Sequence, residues 1–128
     1  MSDQLNVIVE KKQEGVFLIK PQGRIDSDTY TELEKELEPI LAQGPKGIIL
    51  NMSGVDYISS AGLSVVFKTK KTIDANNGTF ALTNLQPQVR KVFDVVKALP
   101  SHDIFASVEE ADKYFDAIQK KELEGDEA

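Results

Sequence analysis

Cysteine and tryptophan are absent from the 128 residues, and His102 is the only histidine. Without thiols the chain forms no disulfide, runs no thiol chemistry and offers no thiolate to a metal. No apolar run approaches the ~20 residues that cross a bilayer as a helix, so membrane insertion is not expected. Positive charge is also scarce: 15 Lys and Arg against 21 Asp and Glu leave a net charge of −6. That balance opposes direct attraction to nucleic acid or an anionic membrane and favours a protein partner. Lys68, Lys70 and Lys71 do cluster, but without aromatic residues to stack bases, and they read as the solvated side of an amphipathic helix. No Gly-x-x-x-x-Gly-Lys loop, EF-hand loop or His-rich spacing is present, so neither cofactor nor metal is expected. Met1 to Asn6 carry neither a basic start nor a hydrophobic signal core, which places the expected location in the cytoplasm. Asn51-Met52-Ser53 and Asn77-Gly78-Thr79 accordingly read as strand-end and turn residues and not as glycosylation sites.

What is present suffices for one domain. A hydrophobic fraction of 41% and a charged fraction of 28% are those of a soluble globular protein, and the length supports a single core. Leu5, Val7 and Val9 alternate with polar residues as a half-exposed strand over 5–12, and Glu14-Gly15 turns it into a second strand over 16–20. Pro21 and Gly23 loosen the chain after that strand. From Ser27 a helix follows, capped by Asp26 or Ser27, with Tyr30, Leu33, Leu37, Ile40 and Leu41 on one face. Gly44-Pro45 ends it, and Gly47 to Met52 forms a buried strand.

A second helix opens near Ser60 with Leu63, Val66, Phe67 and Ile73, and Asn76-Asn77-Gly78 stops it. Thr79 to Thr83 alternates as a strand, and Pro87 begins a third helix bearing Val89, Val92, Phe93 and Val96. Ile104-Phe105 is a short strand-like segment. Ser107-Val108-Glu109-Glu110 is a capping box for a last helix carrying Ala111, Tyr114, Phe115 and Ile118. Apolar spacing then fades, so 1–119 is expected to form the domain and 120–128 a disordered acidic tail. The order ββαβαβαβα predicts an α/β fold: a mixed sheet with an N-terminal hairpin, then alternating strands and helices packed on the sheet.

In such sheets the loops leaving strand C-termini gather on one edge, which makes Asp26 and Ser60 expected neighbours. Ser60 stands where an apolar run breaks into Ser59-Ser60-Ala61-Gly62 before helical spacing resumes. At a helix N-terminus, free N–H groups and the helix dipole stabilise an anion, so a phosphate on this serine is physically admissible. The competing reading is that Ser59 and Ser60 are N-cap residues only.

These residues resemble the STAS domain, named for sulphate transporters and anti-sigma factor antagonists, and in particular its small stand-alone bacterial members. The likeness spans roughly residues 5–119 and rests on two motifs. Gly23-Arg24-Ile25-Asp26 is similar to the turn ending the family's second strand. Tyr57-Ile58-Ser59-Ser60-Ala61-Gly62-Leu63 is similar to the loop opening its second helix, with Ser59 in place of the usual aspartate and Ala61 in place of a hydroxyl residue. Asn84 to Asp94 resembles the stretch into the third helix.

The resemblance implies that Ser60 is a phosphorylation site, with Ser59 a second candidate, and that Asp26, Ser59, Ser60, Ala61 and Gly62 contact the partner. It implies an anti-sigma factor antagonist. The unphosphorylated form binds an anti-sigma factor that is also a serine kinase, freeing a sigma factor, and a PP2C-type phosphatase resets the switch. The alternative is a STAS interaction module without a phospho-switch, in a stressosome-like scaffold or a cytoplasmic subunit of a transport complex. An enzyme built on Ser60, His102 and Asp26 is disfavoured, because no Gly-x-Ser-x-Gly elbow surrounds the serine.

Overall fold

A computed structural model describes residues 5–98 and 108–124. Its elements run β1 (Asn6–Gln13), β2 (Val16–Ile25), α1 (Tyr30–Leu41), β3 (Gly47–Asn51), β4 (Gly54–Ile58), α2 (Ser60–Ala75), β5 (Thr79–Thr83), α3 (Pro87–Ala98) and α4 (Val108–Leu123). β1 and β2 form the expected antiparallel hairpin. On its other side β2 pairs in parallel with two strands in succession: residues 16–19 with β3, then 22–25 with β4. β5 lies parallel to β3 and completes a mixed five-stranded sheet.

Two strand assignments differ from the sequence reading. β2 does not end at Lys20 but continues through Pro21 and Gly23 to Ile25. Lys20 and Pro21 fall between the β3 and β4 registers, so the proline stands where neither parallel neighbour is paired with it. The expected strand over Gly47 to Met52 is also followed by a further strand, β4, which the sequence reading did not assign. Met52 still donates its N–H to Thr83 O, after which a turn at Ser53 carries the chain across to β4. Gly54 and Asp56 interrupt the apolar pattern there, and the segment is a strand through its pairing with β2. The Ile104-Phe105 segment, the Ser107 cap and His102 lie outside the described residues.

Helix periodicity is realised closely in the first three helices. Leu33, Leu37 and Ile40 of α1, Leu63, Val66 and Ile73 of α2, and Val89, Val92 and Phe93 of α3 are all buried in one core with Ile19, Ile48 and Leu50 of the sheet. α1 itself begins at Tyr30; residues 27–29 form a turn held by Asp26. In α4, Phe115 is buried as expected, but Tyr114 is 46% exposed while Gln119 is only 1% exposed. Side-chain hydrogen bonds explain the exchange, because Gln119 finds partners inside that an apolar periodicity does not register. α4 also continues to Leu123, past the expected fraying at Lys120.

Candidate functional site

Both site loops are exits from parallel neighbours β2 and β4. The β2–β4 register shifts between Gly23 and Arg24: Gly23 pairs with Val55, but Arg24 pairs with Tyr57, leaving Asp56 bulged. Gly23 has φ +127°, a conformation that favours glycine, and a bulge of this kind re-aims the chain beyond it. Opposite Tyr57, the Arg24 guanidinium lies 4.1 Å from the ring centroid, and its Nε donates to Asp26 Oδ2 at 3.0 Å.

Asp26 then organises its own loop. Its Oδ1 accepts from Asp28 N at 2.9 Å and from Thr29 N at 3.1 Å, closing the turn before α1, whose N-cap is Thr29 and not the expected Asp26 or Ser27. Buried Thr29 closes the turn: its hydroxyl donates to Arg24 O at 2.7 Å and accepts from Asp26 N at 2.9 Å. Burial alone would raise the Asp26 pKa, but the Arg24 hydrogen bond and the donors of Asp28 and Thr29 together hold the carboxyl below its usual range. Burial likewise lowers the Arg24 pKa, and the hydrogen bond and charge of Asp26 more than offset it, giving a net rise. The side chains are 47% and 19% exposed, so the pair itself contributes ~1 kcal/mol or less.

The second loop is fastened to the first. Ser59 N donates to Ile25 O at 2.9 Å, joining the residue before Asp26 to the residue before Ser60. Ser59 is the extended N-cap of α2; it is buried, and its hydroxyl accepts from Gly62 N at 3.4 Å. Gly62 is buried because nothing larger fits. A Cβ there would stand 2.7 Å from Ile25 Cγ2, 2.8 Å from Ile58 Cγ1 and 3.0 Å from Ile25 O. Thus Ser59 and Gly62 build the junction from within, whereas Asp26, Ser60 and Ala61 remain partly exposed.

Ser60 is engaged by a residue that periodicity did not bring forward. Asp112 of α4 reaches across with one oxygen, Oδ1, which accepts from Ser60 Oγ at 2.6 Å and from Ser60 N at 3.0 Å. The anion-binding N–H of the first α2 residue is therefore already satisfied by a carboxylate. About two turns further along the same face, Gln119 accepts from Ile58 N at 2.9 Å and donates to Ile58 O at 2.9 Å, bonding α4 to the end of β4. Tyr57 lies in the same electrostatic field. Burial raises its pKa first, the charges of Asp116, Asp112 and Asp26 raise it further, and Arg24 partly opposes them.

The structure thus brings the Asp26 loop and Ser60 together as expected, and adds Arg24, Thr29, Tyr57, Asp112 and Gln119. Asp112, Phe115 and Gln119 recur at a spacing that returns to one face of α4, a sign available in the sequence once a buried polar face is allowed. No group of three His, Cys, Asp or Glu arranged for a metal occurs among the described residues. No helix among them is long and apolar enough to cross a membrane.

Comparison with known proteins agrees with this frame. BtrV of Bordetella bronchiseptica, whose name assigns it provisionally to the anti-sigma factor antagonists, is 36% identical over 84 residues, covering 66% of this chain and 72% of BtrV. The anti-sigma-B factor antagonist of Staphylococcus aureus is 26% identical over 83 residues, covering 65% of this chain and 77% of that protein. Among solved structures, unphosphorylated SpoIIAA superposes with a TM-score of 0.65 at 22% identity, over 72% of this chain and 81% of that one. The phosphorylated form of SpoIIAA, from Bacillus, gives 0.61 at 23% identity, over 71% and 83%. These structural likenesses establish the fold. The family profile described as the STAS domain matches residues 8–111, and the chain belongs to the STAS family.

Proposed function

We propose that the protein is an anti-sigma factor antagonist switched by phosphorylation of Ser60. The observation that carries this reading is the pairing of a partly exposed serine with the Asp26 loop, through the Ser59 N–H to Ile25 O bond, in a STAS chain 36% identical to BtrV. The unphosphorylated face, with Asp26, Ser60 and Ala61 at its surface and Ser59 and Gly62 shaping it, binds an anti-sigma factor that is also a serine kinase. A sigma factor is thereby released. The kinase transfers the γ-phosphoryl group of ATP to Ser60: the Oγ–P bond forms, the bond to ADP breaks, and the kinase's base takes the hydroxyl proton. A PP2C-type phosphatase hydrolyses the ester and restores binding. The chain is a cytoplasmic regulator and the substrate of these enzymes, with no catalytic role of its own.

Charge explains the direction of the switch. A phosphate adds about −1.5 to −2 charges at neutral pH, beside Asp112 and in the field that Asp26 and Asp116 share at Tyr57. A binding penalty of ~3 kcal/mol suffices for more than a hundredfold loss of affinity. Ser60 is favoured over Ser59 because the Ser59 hydroxyl is buried and caps α2.

The test is intact-mass analysis after incubation with the candidate kinase and ATP. Wild type and Ser59→Ala gain one phosphate and Ser60→Ala gains none; an unmodified wild type counts against the proposal. In titration calorimetry, Ser60→Asp weakens the anti-sigma partner at least tenfold while amide protection of β3 shows the core still folded, and equal binding argues against the switch. A second reading, a STAS interaction module without a phospho-switch, draws on the 2.6 Å bond by which Asp112 already occupies the Ser60 hydroxyl. It expects full partner binding by Ser60→Asp.

A further inference from the structure

We infer that α4 is the mechanical readout of Ser60: a phosphate on Ser60 evicts the Asp112 carboxylate and loosens the first half of α4, while Gln119 keeps the second half attached. This deepens the proposed function and takes its input, phosphorylation of Ser60, from it.

The geometry leaves little alternative for two anions. Asp112 Oδ1 accepts two hydrogen bonds from Ser60, one from Oγ at 2.6 Å and one from the backbone N–H at 3.0 Å. Phosphorylation removes the first donor outright, since an ester oxygen has no proton to give. It also brings a near-dianion to the same helix end, where its oxygens compete for the Ser60 N–H that Asp112 now holds. Both interactions that pin Asp112 are thereby lost or contested, and the attraction becomes repulsion between like charges. Asp116, one turn further along α4, adds negative charge beside Tyr57, two residues before the α2 N-cap. Arg24, the cation at Tyr57, is already engaged: its Nε donates to Asp26 and its guanidinium covers the Tyr57 ring.

Release stops partway along α4 because the second attachment is of another kind. Gln119 makes two hydrogen bonds with the backbone of Ile58 and donates a third to Phe115 O, all buried and all uncharged. Phosphate on Ser60 neither removes their donors nor repels their acceptors. Phe115, 4% exposed, stays packed in the core on the same side. α4 therefore has a charge-sensitive contact at Asp112 and a charge-insensitive one at Gln119, and a local modification becomes a change in the position of a helix.

The experiment installs phosphoserine at position 60 genetically, without a kinase, and follows amide hydrogen exchange by mass spectrometry in the full chain. The expected result is at least tenfold faster exchange in α4 peptides around Asp112 than in the unmodified protein, with peptides of β3 unchanged. In Asp112→Asn the side chain has no charge to repel the phosphate and an amide to offer it, so the phosphate-dependent acceleration falls below threefold. Asp112→Ala, which lacks the pin in both states, shows the same small response. Exchange in α4 within twofold between the modified and unmodified proteins overturns the inference, as does a tenfold response that persists in Asp112→Asn. Acceleration shared equally by β3 also overturns it, since the fold and not α4 would then be yielding. A kinase that leaves Ser60 unmodified defeats the proposed function without altering any of these outcomes, so the two can fail separately.

Discussion

Along β2, two ladders of opposite character share one strand. Residues 16–19 pair with β3 in an unbroken register, and Phe17 and Ile19 turn into the core between them. Residues 22–25 pair with β4 across a bulge, with Gly23 at a positive φ and Arg24 set against Tyr57. The regular half buries apolar side chains and leaves nothing aimed at solvent that chemistry could use. The irregular half interrupts pairing and places Asp26 at one strand exit beside Ser59 and Ser60 at the other. Stability and the candidate site are divided along a single strand, and substitutions at its two ends should therefore fail in different ways.

The largest effect is expected in the regular half. Ile19 has no exposed surface, so Ile19→Ala removes buried methylenes and leaves a cavity, costing ~2–5 kcal/mol. Urea denaturation reads this as a lower midpoint at unchanged slope, and a loss below ~1 kcal/mol would show that this ladder is not where stability resides. Next is Gln119→Leu, which preserves apolar bulk but strips partners from Ile58 N and Ile58 O. Two buried backbone groups left unpaired cost ~2–4 kcal/mol together. A variant as stable as wild type would mean that α4 is not fastened to β4 through this side chain.

Gly62→Ala tests how tightly the two exits are locked. The added methyl falls 2.7 Å from Ile25 Cγ2 and 3.0 Å from Ile25 O, closer than carbon atoms tolerate. Overpacking of this kind costs ~1–3 kcal/mol. It should also push the Ser59 N–H away from Ile25 O, so the Ser59 amide exchanges faster while amides of β3 do not. Equal protection at Ser59 in the variant would separate the glycine from the joining of the loops.

The same comparison explains what could be read from the sequence. The regular ladder announces itself through continuous apolar runs such as Ile48-Ile49-Leu50, and the helices through residues that return to one face. Asp26 and Ser60 were also legible, because strand exits in parallel sheets gather on one edge. What escaped depends on contacts between distant segments. Pro21 and Gly23 carry the local chemistry of a strand end, yet pairing with β4 extends the strand through both. Asp112 and Gln119 have the composition of a solvated helix face; their spacing with Phe115 places them on one side of α4, but their bonds to Ser60 and Ile58, 52 and 61 residues away, are what make that side face inward. Gly62 could be matched to a family motif, but the reason for a glycine there is the packing of Ile58 together with Ile25, and Ile25 lies in a distant segment that no local pattern contains.

The smallest effect separates charge from geometry in the irregular half. Asp26→Asn keeps an oxygen able to accept from Asp28 N and Thr29 N, so the turn into α1 survives, and the change removes mainly the charge that pairs with Arg24. Near pH 7 the loss should be ~1 kcal/mol or less, as for other partly exposed pairs. Its pH dependence is the sharper reading. The Asp26 carboxyl is held below its ordinary pKa in the folded state, chiefly by its hydrogen bonds against the opposing effect of burial. Its contribution is therefore complete above the unfolded value of ~3.9 and is lost as pH falls through the lower folded value. Wild type and variant should differ by a constant amount from pH 7 to about 5, then converge as the carboxyl protonates. Parallel stability curves down to pH ~2 would mean that ionised Asp26 gains nothing from the fold, and that the Asp26 loop is held by Thr29 and the β2–β4 bulge alone.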